Sequence, residues 1–217
     1  PELDHVASVA FAPASDLDRT FGDVDEIVTS VVGAAMVYGA PSNPEIVPED
    51  YAGDELAALG DLIRTGCQPD FEVPVAGVKA ATGDDFWRND PLVTEPARSL
   101  LLANEVGDVA ADAPVLLSSG TDDVVVVIDR VRSLFGRMCA AGQVTDFRVV
   151  DGADHDNIIE LTPGLEQWVA DRFAGEPVAD SCGEEGHDGQ NGEDGRGGDN
   201  GESPAAPAVT REPSLTG

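Results

Sequence analysis

Residues 115–155 (VLLSSGTDDVVVVIDRVRSLFGRMCAAGQVTDFRVVDGADH) constrain the fold most. An apolar run at 115–117 leads through Gly120 and Thr121 to two adjacent acids, Asp122 and Asp123. Val124, Ile128, Val131, Leu134/Phe135 and Met138 then recur at helical spacing, predicting a helix from 124 to about 138 that Gly142 ends. A short strand is predicted over 146–150, and a Gly-containing turn delivers Asp154 and His155. The order is strand, acid, crossover helix, strand, histidine. A right-handed crossover presents the carboxyl ends of neighbouring parallel strands on one sheet edge. An acid after one strand and a histidine after the next can therefore meet there, as two of the three side chains of a nucleophile–base–acid triad.

Charge narrows the partners. The 217 residues carry 42 acids against 12 basic residues, a net charge of −30, and Lys79 is the only lysine. The acids are not confined to the end of the chain: residues 1–182 hold 34 acids and ten bases, a net −24. Such a body repels itself at low salt and is relieved by screening. That fits a salt-adapted protein better than one bound to a basic partner. With no basic patch to neutralise phosphates, nucleic acid is not an expected partner. No apolar run reaches membrane-spanning length. Pro1 stands directly before a strand without an initiator Met, so sequence upstream is expected.

Along the chain, residues 5–12 (HVASVAFA) read as a buried strand. Val24, Ile27, Val28, Val31, Val32 and Ala35 mark an amphipathic helix. A second helix starts at Pro48, carries Leu56, Leu59, Leu62 and Ile63, and stops at Gly66. Residues 77–88 look irregular, with Phe86 and Trp87 fitting either core packing or an acyl pocket, and 96–103 form a third helix. Helical segments with no strand, filling about ninety residues, exceed the usual length of one crossover and read as an inserted cap; helices packed directly on the sheet are the alternative. In the helix after Asp123, Arg130, Arg132 and Arg137 are read as solvated. Thr162 and Pro163 are read as N-cap and first residue of a last helix burying Leu165, Trp168, Val169 and Phe173. From residue 183 apolar residues almost vanish, and this acidic Gly-rich stretch, which holds His187, is expected to be disordered. The organisation is thus a core strand (1–16), a helical cap (17–108), a core carrying acid and histidine (109–182) and a disordered tail (183–217).

Gly120-Thr121-Asp122-Asp123, Cys139-Ala140-Ala141-Gly142, Asp151-Gly152-Ala153-Asp154-His155 and Trp168-Val169-Ala170-Asp171-Arg172-Phe173-Ala174-Gly175 occur in an order that resembles the secretory lipases. That α/β-hydrolase family includes fungal lipase A. The opening residues 1–17 resemble the segment following that family's nucleophile helix, and residues 89–104 the stretch before its penultimate strand. The resemblance implies the C-terminal part of an α/β-hydrolase fold, with Asp123 as the acid, His155 as the general base, and Asp122 in the variable position before the acid. It also implies a disulfide between Cys139 and Cys182, leaving Cys67 to pair with a cysteine upstream of Pro1. Val126-Val127 departs from the family's usual Val-Pro.

No G-x-S-x-G elbow occurs in the chain. The resemblance puts the nucleophilic serine within about thirty residues before Pro1. The chain would then belong to a carboxylic ester hydrolase, a lipase or esterase acting on small-molecule or lipid esters, and be inactive by itself. Secretion follows from the same resemblance. The alternative is a noncatalytic α/β-hydrolase remnant or acidic interaction module. The sequence assigns no substrate-binding residue, oligomeric state, cofactor or metal.

Overall fold

A computed structural model describes residues 4–39 and 44–183. Three parallel strands, β1 (Ser8–Phe11), β2 (Val115–Gly120) and β3 (Thr145–Val150), form one sheet in the order β1-β2-β3. Among the described residues, seven α-helices lie between β1 and β2: α1 (Leu17–Asp23), α2 (Glu26–Gly39), α3 (Pro48–Tyr51), α4 (Asp54–Ala57), α5 (Gly60–Thr65), α6 (Gln68–Thr82) and α7 (Ala97–Leu102), with a 3-10 turn at Gly83–Phe86. Helix α8 (Ile128–Ala140) crosses from β2 to β3, and α9 (Ile158–Leu161) and α10 (Leu165–Phe173) follow. No helix among the described residues is long and apolar enough to cross a membrane.

Strand β2 is buried because it is central. Leu117 faces α8 and packs with Val131, Leu134, Phe135 and Met138, while Phe135 stacks on Phe147 of β3 at 4.7 Å. Each of those side chains contributes about 1.5–3 kcal/mol by leaving water. Strand β1 is only half-buried, against the expectation for 5–12, because it is an edge strand among the described residues.

A second apolar cluster lies away from the sheet: Val31, Ala34 and Val37 of α2 meet Leu56, Ile63, Phe71, Val75 and Phe86. Phe86 is therefore a core residue. The expected face of α2 is rotated: Ile27 and Val32 are exposed, and the buried side runs through Ser30, Val31, Ala34, Val37 and Tyr38. The 48–66 helix is broken into α3, α4 and α5 at Gly53 and Ala58–Leu59. Helix α6 replaces part of the stretch read as irregular. Its Pro74 removes one backbone donor, but Phe71 and Val75, one turn apart, anchor it in the cluster.

Further differences come from tertiary partners. Helix α8 begins at Ile128, four residues later than expected; Val124 is exposed and Val126 is buried. Arg137 is not solvated. Its guanidinium donates to Asp16 Oδ1 (2.5 Å), Glu105 Oε1 (2.8 Å) and the Val106 carbonyl (3.1 Å). Glu105 in turn accepts the backbone N–H groups of Asp16 and Leu17, both at 2.9 Å, capping α1 from a distance. Arg137 thereby ties α8, the loop after β1 and the 105–106 loop together. Thr162 ends α9 instead of starting α10, donating to the Ile158 carbonyl (2.7 Å), and its hydroxyl meets that of Ser118 (2.8 Å). Phe173 is exposed at the end of α10.

Cys139 and Cys182 form a disulfide, and Cys67 is a free, exposed thiol. The bridge pins the segment whose Asp180 and Ser181 side chains accept the N–H groups of Thr145 (3.2 Å) and Phe147 (2.9 Å). Those donors lie on the outer edge of β3, so the cross-link holds an edge cover in place. The stretch from 184 on, with His187, lies outside the described residues.

Three substitutions test these contacts. Arg137→Leu is expected to destabilise the chain by about 2 kcal/mol or more in urea unfolding, since it strands two partly buried acids. Arg132→Leu, which removes only an exposed pair with Asp129, is expected to change stability by less than about 0.5 kcal/mol. Cys182→Ser, which opens a link spanning 43 residues, is expected to cost about 3–4 kcal/mol in the same assay.

Candidate active site

The loops after β2 and β3 are zipped together at the carboxyl edge of the sheet. A Cβ on Gly120 would meet the Ala153 carbonyl oxygen at 2.0 Å, so only glycine permits this approach. The Thr121 N–H donates to the Val150 carbonyl (3.1 Å), the Asp122 N–H to the Ala153 carbonyl (3.0 Å), and the Gly152 N–H to Thr121 Oγ1 (2.8 Å). Gly152, at φ 72°, turns the β3 loop back toward β2. Gly-Thr before the acids thus has a local role: a missing side chain for closeness and a hydroxyl acceptor for the facing loop.

This zipper sets Asp123 beneath His155. The Asp123 side chain is fully buried, and its Oδ1 accepts the N–H groups of Val125 and Val126, each at 2.8 Å. Its Oδ2 accepts from His155 Nδ1 at 2.9 Å. A carboxylate only accepts, which assigns the proton to Nδ1 and leaves Nε2 as the nitrogen available to another group. Asp122, by contrast, is exposed and hydrogen-bonds with Thr121. Of the two adjacent acids, only Asp123 is hydrogen-bonded to the imidazole.

The histidine loop is held by its neighbours. Asp154 Oδ1 accepts the N–H groups of Asp156 and Asn157, both at 3.0 Å, while Asn157 Oδ1 accepts the Asp154 N–H at 2.9 Å. This reciprocal turn leads directly into α9. Acidic composition had masked the role of Asp154; the Asp-x-x-Asn spacing before an apolar pair was the available signal.

The imidazole is about 40% exposed and borders a cleft of about 530 Å³. Val24, just before α2, and Val28 and Val32, one turn apart on α2, line it with Phe21 and Val125. Besides His155, its polar lining is Thr20 of α1, Gln68 and Glu72 of α6, and Asp156. A smaller hollow of about 150 Å³ between α2 and α6 shares Val28, Val32, Gln68 and Glu72 with the cleft. A larger, open groove over α9 and α10, lined by Ile159, Thr162 and Leu165, contains neither Asp123 nor His155. His5 is remote in role, with Nε2 hydrogen-bonded to Ser8. Ser118 is buried against Thr162.

A parallel sheet whose acid and histidine loops join at its carboxyl edge defines a partial α/β-hydrolase fold. X-ray structures of Candida antarctica lipase A share that fold: its closed state superposes with a TM-score of 0.61 at 16% identity, covering 82% of this chain and 44% of the lipase. A second structure of the same lipase gives 0.60 at 17%, with equal coverage. A curated relative, a probable inactive lipase of Mycobacterium tuberculosis (strain CDC 1551 / Oshkosh), is 25% identical over 185 residues, or 83% of this chain and 41% of that protein. No protein-family model matches the sequence. The chain shares the α/β-hydrolase fold of these lipases and spans less than half the length of these relatives.

The two aspartates separate by a stability test. Asp123→Ala leaves two buried N–H groups without their acceptor and is expected to lower stability by about 1–3 kcal/mol. Asp122→Ala, which removes an exposed carboxylate, is expected to change the thermal midpoint little; the two midpoints by calorimetry check this.

Proposed function

We propose that this chain supplies the acid and base of a carboxylic ester hydrolase of the lipase or esterase type, Asp123 and His155, to a serine encoded upstream of Pro1. The observation that carries the reading is the hydrogen bond from His155 Nδ1 to the buried Asp123, with the imidazole bordering an apolar cleft. In this reading 109–182 is the C-terminal core and α1 to α7 form a cap over it. The serine hydroxyl attacks the ester carbonyl as His155 Nε2 takes its proton, and Asp123 stabilises the imidazolium that results. The proton then passes to the departing alcohol oxygen, and water repeats the sequence on the acyl-enzyme to release the acid. The oxyanion hole, made of backbone N–H groups beside the serine and from an earlier loop, belongs to the same upstream part.

The Asp123 geometry makes Asp123→Asn a specific probe. The amide oxygen can retain the bonds from Val125 and Val126, but its NH₂ then faces His155 Nδ1 and donates to it. That moves the ring proton to Nε2, where a base is needed.

A secreted, salt-adapted protein fits the disulfide and the acidic composition. A second reading rests on the mycobacterial relative, whose name calls it an inactive lipase. In that reading the fold persists as an acidic interaction module. An upstream sequence without serine at a strand-to-helix turn would select it.

The protein from the complete reading frame is expected to hydrolyse a chromogenic short-chain ester, and residues 1–217 alone are not. His155→Ala and Asp123→Asn are each expected to lower kcat/KM by about a thousandfold or more, with Asp122→Asn unaffected. Activity retained in the first two variants rejects the assigned roles.

A further inference from the structure

We propose that Glu72 and Asp156 give the cleft a charge preference: it accepts neutral acyl groups and turns away carboxylates, including the acid its own reaction would release. The inference rests on the reading of the cleft as an acyl site. It adds which acyl groups that site takes and why the product leaves.

Among the described residues, the ionisable groups lining the cleft are His155, Glu72 and Asp156, and no lysine or arginine lines it. Glu72 and Asp156 are exposed and form no ion pair with the described residues, so no cation there compensates their charges. Glu72 is approached only by Gln68 Nε2, at 3.5 Å. The buried carboxylate of Asp123 behind the imidazole adds a third negative group. The body of the chain, at −24 over residues 1–182, has the same sign. An ester is neutral and meets apolar Val24, Val28 and Val32. The carboxylate made from it meets repulsion from two directions, with no cation to hold it. Hydrolysis itself therefore converts a ligand the cleft accepts into one it expels.

Each exposed acid is expected to contribute a few-fold, and the effect should fade as salt shortens the screening length from about 30 Å at 0.01 M to about 3 Å at 1 M. The probes are hexanamide and hexanoate, of equal chain length, titrated into residues 1–217. The readout is the His155 imidazole NMR signal, identified by its loss in His155→Ala. At about 0.01 M ionic strength hexanamide is expected to bind about tenfold more tightly than hexanoate, and at about 1 M NaCl the two should approach equality. In the Glu72→Gln, Asp156→Asn double variant the low-salt ratio is expected to fall to about threefold or less. Equal affinities at low salt in the unaltered chain, or a ratio that neither salt nor the double variant changes, overturns the charge preference while leaving the acyl site intact. If neither probe moves the His155 signal, the acyl site fails and this inference with it. Should the double variant not fold, the salt series on the unaltered chain decides the matter.

Discussion

Everything at the candidate site depends on how closely the loop after β3 approaches the end of β2. The Ala153 carbonyl occupies the space where Gly120 would carry a side chain. From that contact the backbone bonds of Thr121, Asp122 and Gly152 follow in register. Asp123 is then fixed from its own side by Val125 and Val126, so the carboxylate is oriented before the imidazole meets it. A base held by an already oriented acid needs no rearrangement to accept a proton, which is the condition for preorganised catalysis. A larger residue at 120 would separate the loops and, with them, the acid from the histidine.

The parts legible in the sequence were those specified locally. The β2–α8–β3 unit was readable because Val131, Leu134, Phe135 and Met138 keep helical spacing between two short apolar strands. Chain order alone then put an acid and a histidine on one sheet edge. Two adjacent aspartates could not be ranked that way; burial separates them, since the Asp123 side chain is covered and meets His155 while that of Asp122 stays exposed. Helix α6 escaped the sequence reading because Pro74 disfavours a helix locally, while the packing of Phe71 and Val75 that outweighs it is tertiary. For α2 the valines satisfy two faces at once. The periodicity through Val24, Ile27, Val28, Val31, Val32 and Ala35 merged them: Val24, Val28 and Val32 line the cleft, while Val31 belongs to the helical core.

The rotated face of α2 bears on how the cleft arises. A helix with apolar residues on one side only would bury them all and leave a polar wall beside His155. Here Val31, Ala34 and Val37 hold α2 in its cluster, which leaves the adjacent valines free to face the imidazole. Helix α1 completes the wall with Phe21, and its position is set by Glu105, whose carboxylate is in turn held by Arg137 of α8. The helix that follows the acid and the wall facing the base are therefore braced by one guanidinium.

That brace bears on the electrostatics of the whole chain. With so few cations, several of them are taken up by structure: Arg137 binds Asp16 and Glu105, Arg148 binds Asp146, and Arg172 lies over Trp168 and donates to the Pro177 carbonyl. Each sits at a junction where the chain must close on itself. None of them lines the cleft, and salt is left to screen the remaining acids. The acidic cleft mouth reflects the same allocation: Arg137 supports the cleft wall from behind, through Glu105 and α1, and so adds no positive charge to the lining.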